Sequence, residues 1–119
     1  LDFQNNNIKY LGSGYKKHQL IKIYDDHNIT ILPSYTEAHP KVVDESLSRL
    51  RPVIIFDDIS HIVQNKLGVF VSKRDVNSLS KTIEFIMQNY SNIQENMRKN
   101  ILPTKEKFFL QMNKILSLN

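Results

Sequence analysis

Glu37 and Glu45 stand eight residues apart around His39 and Pro40, in the run TEAHPKVVDES. A carboxylate accepts several hydroxyl donors at once, and a helix opened at Pro40 would turn its first N–H groups toward an anion. A second acidic pair, Asp57-Asp58, follows an apolar run and could hold a divalent ion or stand solvated in a loop. Other metal chemistry finds little support. The four histidines, at 18, 27, 39 and 61, show no ligand spacing, and the chain has no Cys. Gly12-Ser13-Gly14 lacks the third Gly and the downstream acid of a dinucleotide fingerprint.

These residues need elements to hold them. Ile29 to Leu32 is a short β-branched run that predicts a buried strand, ended by Pro33 and Ser34. A polar loop, 35–39, leads to Pro40 in the first turn of a helix, and Val42, Val43, Leu47 and Leu50 give that helix its apolar stripe. Arg51 and Pro52 close it, and Val53 to Phe56 restart a strand. The result is a β-loop-α-β unit with an acidic residue in the crevice loop. In parallel sheets ligands bind in that crevice. Glu45 lies about one and a half turns into the helix, at roughly 3.6 residues per turn.

Outward from this unit the pattern continues. Residues 1–7 are polar, 8–11 predict a short strand before the Gly12–Gly14 turn, and 15–26 predict a helix carrying Leu20, Ile21, Ile23 and Tyr24. Past Asp58, residues 60–65 suit a short helix, 68–71 a strand and 72–75 a loop. A helix from Val76 has Leu79, Ile83, Ile86, Met87 and Tyr90 on one face, and Ile93 and Met97 carry a second segment to about Asn100. A last amphipathic helix, 104–118, bears Phe108, Phe109, Met112, Ile115 and Leu116. The expected architecture is α/β, a three-layer α-β-α Rossmann-like parallel sheet of about four strands with helices on both faces. For a doubly wound sheet it is short by a strand or two.

Composition sets the limits. The 119 residues suit one domain, 1–119. No run approaches the roughly 18 apolar residues of a membrane span. The formal charge is +4, with 11 basic and 10 acidic residues over 1–90 and 5 basic and 2 acidic over 91–119. The body is nearly neutral, which argues against nucleic acid as a partner, since such binding wants a clustered basic stripe. Lys105, Lys107 and Lys114 in the tail leave room for peripheral association with an anionic membrane surface.

The run ILPSYTEAHPKVVDESLSRLRPVI resembles the signature of the glycosyl transferases group 1 family, the retaining nucleotide-sugar enzymes of GT-B architecture. Members typically show a strand ending in Pro-Ser, then Glu, a small residue, an aromatic and Pro, with a second Glu eight positions after the first. The flanks resemble the family as well, from IKYLGSGYKKHQL before the signature to GVFVSKRDVNSLSKTIEFIM after it, where an Asp opens the helix.

The resemblance implies roles for named residues. Glu37, the catalytic candidate, would face the donor sugar and its anomeric region, and Glu45 would accept the ribose hydroxyls. His39 takes the place of the usual aromatic beside the diphosphate. Ser34, Thr36, Glu37, Ala38, His39, Pro40 and Glu45 form the implied donor-binding set, with Asp57 and Asp58 as further candidates. The donor substrate would be a nucleoside diphosphate sugar, with no cofactor and no metal. Preorganised N–H groups would hold the charge that develops on the departing diphosphate.

Departures from the family pattern also stand out. Relatives usually carry Gly at the places of Ala38 and Leu50, and a Gly-Gly pair with a later Glu near Asp57 to His61. Glycine at such places allows positive φ or close backbone approach, so the donor pocket is expected to be shifted or tighter. The family's Gly-rich loop, and the Arg and Lys that clamp the diphosphate, lie upstream of anything in this sequence, and Lys16 and Lys17 do not stand at the matching place. The chain therefore reads as a partial C-terminal, donor-binding half of a glycosyltransferase, inactive in isolation. The implied full enzyme would pass a hexose to a glycan or lipid-linked acceptor held by an N-terminal domain. Its setting would be polysaccharide biosynthesis in the cytoplasm, at the inner face of the membrane. The alternative is a degenerate Rossmann-like interaction module without catalysis.

Overall fold

In the computed structural model the described residues are 10–36, 40–63 and 65–100. They form α1 (Lys17–Asp25), β1 (Thr30–Leu32), α2 (Lys41–Ser48), β2 (Val53–Phe56), a 3-10 segment (Asp57–Val63), β3 (Val69–Ser72), α3 (Val76–Gln88) and α4 (Tyr90–Met97). Residues 8–9 of the strand expected at 8–11, and all of the helix expected at 104–118, lie outside the described residues. Tyr10 and Leu11 belong to no strand, which corrects that expectation at its described end.

The sheet is parallel throughout, in the order β1-β2-β3. Its register places Ile31, Ile54 and Phe70 side by side on one face, and Thr30, Val53 and Val69 on the other. Each face has its helix. Ser46 of α2 sets its hydroxyl 2.8 Å from Thr30 Oγ1 and 2.9 Å from the Arg51 carbonyl oxygen, so α2 covers the Thr30 face. Phe85 of α3 meets Phe70 edge-on, with 6.0 Å between ring centroids, so α3 covers the other. Central β2 is consequently buried along its whole length, with Val43 and Leu47 of α2 and Ile86 of α3 in the same core. A strand covered on both faces should be apolar at every position rather than alternating, and VIIF is.

Local sequence explains where elements stop. Arg51 stands over the C-terminus of α1, donating to the carbonyls of Tyr24 at 3.0 Å and Asp25 at 2.8 Å, a cation on orphan acceptors at the negative end of the helix dipole. Beside it the Arg49 guanidinium pairs with Asp25 through two bonds, of 2.8 and 2.5 Å. That pairing holds the Asp25 carboxyl below its ordinary range. Helix α2 ends in a Schellman turn. The N–H of Arg51 donates to the Ser46 carbonyl and that of Leu50 to Leu47, each at 3.0 Å. The turn needs a left-handed residue at Leu50, whose φ is +56°. This is the place where the family pattern has Gly.

Helix α4 closes the opposite end of the sheet from the crevice. Tyr90 Oη donates to the carbonyl of Asn28 at 2.7 Å, and Gln94 Nε2 to that of Leu50 at 2.8 Å. Asn100, just beyond α4, exchanges two bonds of 2.7 Å with the backbone of Leu67. Asn28, Leu50 and Leu67 precede β1, β2 and β3 respectively. Residues 90–100 thus hold the entry of every described strand.

Candidate functional site

The crevice lies at the other end, past the C-termini of the strands. From β1 the chain leaves through Pro33, half-buried Ser34 and exposed Tyr35 and Thr36. Glu37, Ala38 and His39, three of the seven donor-site candidates, lie outside the described residues. The description resumes at buried Pro40, which occupies the cap position of α2 with extended backbone (φ −73°, ψ 114°) and not the first helical turn. Among the described residues no side chain caps α2. The acidic residue of its first turn, Asp44, pairs with Lys66 at 2.8 Å. Glu45 is exposed on the same helix, and its Oε2 accepts from the phenol of Tyr24 at 3.0 Å.

Tyr24 was absent from the sequence-derived candidates. Its ring lines an apolar hollow of about 300 Å³ with Leu20, Ile23, Ile29 and Val42, while its hydroxyl reaches over to Glu45. Burial of the ring, then the bond to Glu45 and the charge of that carboxylate, push the phenol up to about 12 from 10.0. It is a donor that stays protonated. Only the packing of α1 against α2 brings it there, and the local sequence carries no signal of that.

From β2 the chain leaves through Phe56 into the 3-10 segment that begins with exposed Asp57 and Asp58. Asp58 is engaged. Its Oδ2 accepts from Arg74 Nε at 2.6 Å. The same guanidinium donates through Nη2 to the Ser34 carbonyl at 2.9 Å, and lies over the rings of Tyr35, at 3.8 Å, and Phe56, at 4.6 Å. Arg74 also lines a cavity of about 300 Å³ with Pro33, Phe56, Asp75, Val76 and Leu79. A signal for it existed. Lys73-Arg74 stand just past the end of β3 as Asp57-Asp58 stand just past β2, where ligands of parallel sheets bind.

Asp75 opens α3 as the sequence predicts, its carboxylate accepting from the Ser78 N–H at 2.7 Å. Among the described residues no three His, Asp or Glu side chains come together to hold a metal ion, and no helix is long and apolar enough to cross a membrane.

The fold and the crevice define a Rossmann-like α/β domain, with a carboxylate that accepts from the Tyr24 phenol on the helix after β1. The family profile of Glycosyl transferases group 1 matches residues 3–111. The chain belongs to that family, and its role at that level is in glycosyl transfer. No curated protein and no solved structure matches it significantly.

Proposed function

We propose that the chain supplies the donor site of a retaining glycosyltransferase that moves a hexose from a nucleoside diphosphate sugar to a glycan or lipid-linked acceptor. Family membership supports the reaction class. The observation that carries the donor reading is Glu45. Its carboxylate is exposed one and a half turns into the helix that follows the β1 exit, and the Tyr24 phenol fixes it. Two ribose hydroxyls could donate to such a group together. The start of α2, whose cap residue Pro40 offers no hydrogen-bonding side chain, would face the diphosphate and stabilise the charge left on it as the glycosidic bond breaks. Glu37 follows Thr36 in sequence and is assigned the sugar. The acceptor would be bound by a further domain, and the work placed at the cytoplasmic face of a membrane in polysaccharide assembly.

Titration of the chain with uridine, guanosine and adenosine diphosphates and their hexose forms, followed by backbone NMR, tests this. Weak binding is expected, with Kd about millimolar, near 4 kcal/mol. Glu45→Ala should abolish it for nucleotide and nucleotide sugar alike. Glu37→Ala should spare the nucleotide and remove the preference for the sugar-bearing form. No binding by the wild-type chain would favour a degenerate interaction module instead.

A further inference from the structure

Arg74 leaves the end of β3 and reaches back across all three strand exits. It touches Ser34 and Tyr35 after β1, Phe56 at the end of β2 and Asp58 just past it. A simple surface ion pair would need Asp58 alone and would contribute little. Here the planar fork is used in several directions at once. One edge donates to a carboxylate, another to a main-chain carbonyl, and the guanidinium lies over two aromatic rings. Lysine has the charge but neither the fork nor the flat face.

The carbonyl that Arg74 holds belongs to the peptide joining Ser34 to Tyr35. Fixing that peptide, and the Tyr35 ring beside it, sets the direction in which the chain departs from β1 toward Glu37, two residues further on in sequence. Glu45 is held by separate means, on a regular helix and by Tyr24. We infer that Arg74 is a positioning residue for the donor loop, acting on recognition of the sugar through the Ser34–Tyr35 peptide and leaving the nucleotide anchor at Glu45 untouched. This rests on the donor reading above, and it adds a residue that neither the family signature nor the paired glutamates point to.

The test uses the full chain with Arg74→Ala, Arg74→Lys and Asp58→Asn. In the first two variants the backbone N–H order parameters of Tyr35 and Thr36 should fall from about 0.85 to below about 0.6, while those of α2 stay unchanged. Asp58→Asn, which keeps the Ser34 bond and the rings, should give a smaller effect. In titrations with uridine diphosphate and uridine diphosphate glucose, and with the guanosine diphosphate and mannose pair, the sugar-bearing ligand should lose about fivefold or more in affinity relative to its nucleotide, an effect of about 1 kcal/mol. Affinity for the nucleotide alone should stay within about twofold. Unchanged order parameters at Tyr35 and Thr36, full rescue by lysine, or equal weakening of both ligands would overturn the assignment. Should Arg74→Ala fail to fold, Arg74→Lys decides by the same readouts. If the wild-type chain binds no nucleotide, the donor reading falls, and the order parameters alone uphold or overturn the role of Arg74 in the loop.

Discussion

The phenol of Tyr24 donates to Oε2 of Glu45 across 3.0 Å, so a side chain of α1 fixes the carboxylate that α2 presents. The bond leaves the other oxygen, and the remaining lone pairs of the first, for a ligand. A carboxylate already held in place loses less freedom when hydroxyls arrive.

Tyr24→Phe should therefore weaken nucleotide binding and lower stability by about 0.5–1.5 kcal/mol, the usual range for one intramolecular hydrogen bond. The same pair predicts a pH effect. The phenol is raised from 10.0 to about 12 in the folded chain, so its contribution to stability is complete below pH 10 and disappears as pH rises toward 12. Absorbance titration of tyrosinate should show Tyr24 among the last to ionise, with Tyr90, raised by burial, also late. Tyr24→Phe should remove one late step and flatten the alkaline loss of stability. A Tyr24 that titrates with the exposed tyrosines would refute the pairing.

Leu50 carries opposing terms. Its left-handed backbone costs about 1–2 kcal/mol for a residue with a Cβ, while its side chain packs against the core and contributes about 1–2 kcal/mol. Leu50→Gly should change stability by less than about 1 kcal/mol, since each term nearly offsets the other. Leu50→Val keeps apolar surface but forces a β-branched residue into the same turn, and should destabilise by about 1–3 kcal/mol. Urea denaturation of the two variants separates strain from burial.

Gly68 has φ +97°, and a Cβ placed on it would come within 2.6 Å of the buried Met97 Cγ. Gly68→Ala should cost about 2 kcal/mol or more, from backbone strain and overpacking together. Adding Met97→Ala should recover only the packing part, so the pair should be non-additive in a double-mutant cycle.

Asn100→Ala removes both bonds to Leu67, leaving its N–H and carbonyl to solvent, with an expected loss of about 1–3 kcal/mol. Hydrogen exchange should then quicken at the entry to β3 before it does at β1 or β2. Uniform acceleration across all three strands would argue against separate attachment points.

Much of this architecture was legible in the chain. VIIF at 53–56 is apolar at every position because helices cover both faces, and Asp75 announced α3. Discrepancies have local causes. Strand β3 begins at Val69 rather than at residue 68 because Gly68 takes a positive φ that an extended strand cannot hold. Asp57 and Asp58 enter a 3-10 segment directly from β2, ahead of the helix expected at 60–65, and the segment kinks at Ile59. The missing glycine at position 50 reads as a sign of a shifted or tighter donor pocket, but Leu50 itself holds the left-handed turn, at the strand-entry end away from the crevice. Arg74 and Tyr24 were harder to see, since each acts on residues more than fifteen positions away and only the packed fold brings them together. Asp58, by contrast, was visible as a carboxylate and invisible as the partner of a guanidinium.

The bonds from α4 and Asn100 to the strand entries also bear on the order of events when the chain is made. They span 62, 44 and 33 residues, from Tyr90 to Asn28, Gln94 to Leu50 and Asn100 to Leu67. None can form before the ribosome has released Tyr90, and the last waits for Asn100. The parallel strands themselves need crossovers, so the nascent sheet has few short-range contacts to hold it meanwhile. Until the last turn of α4 arrives, the apolar strands should be open to chaperones and to aggregation. A chain stalled before Tyr90 should expose them, and one stalled well past Asn100 should not.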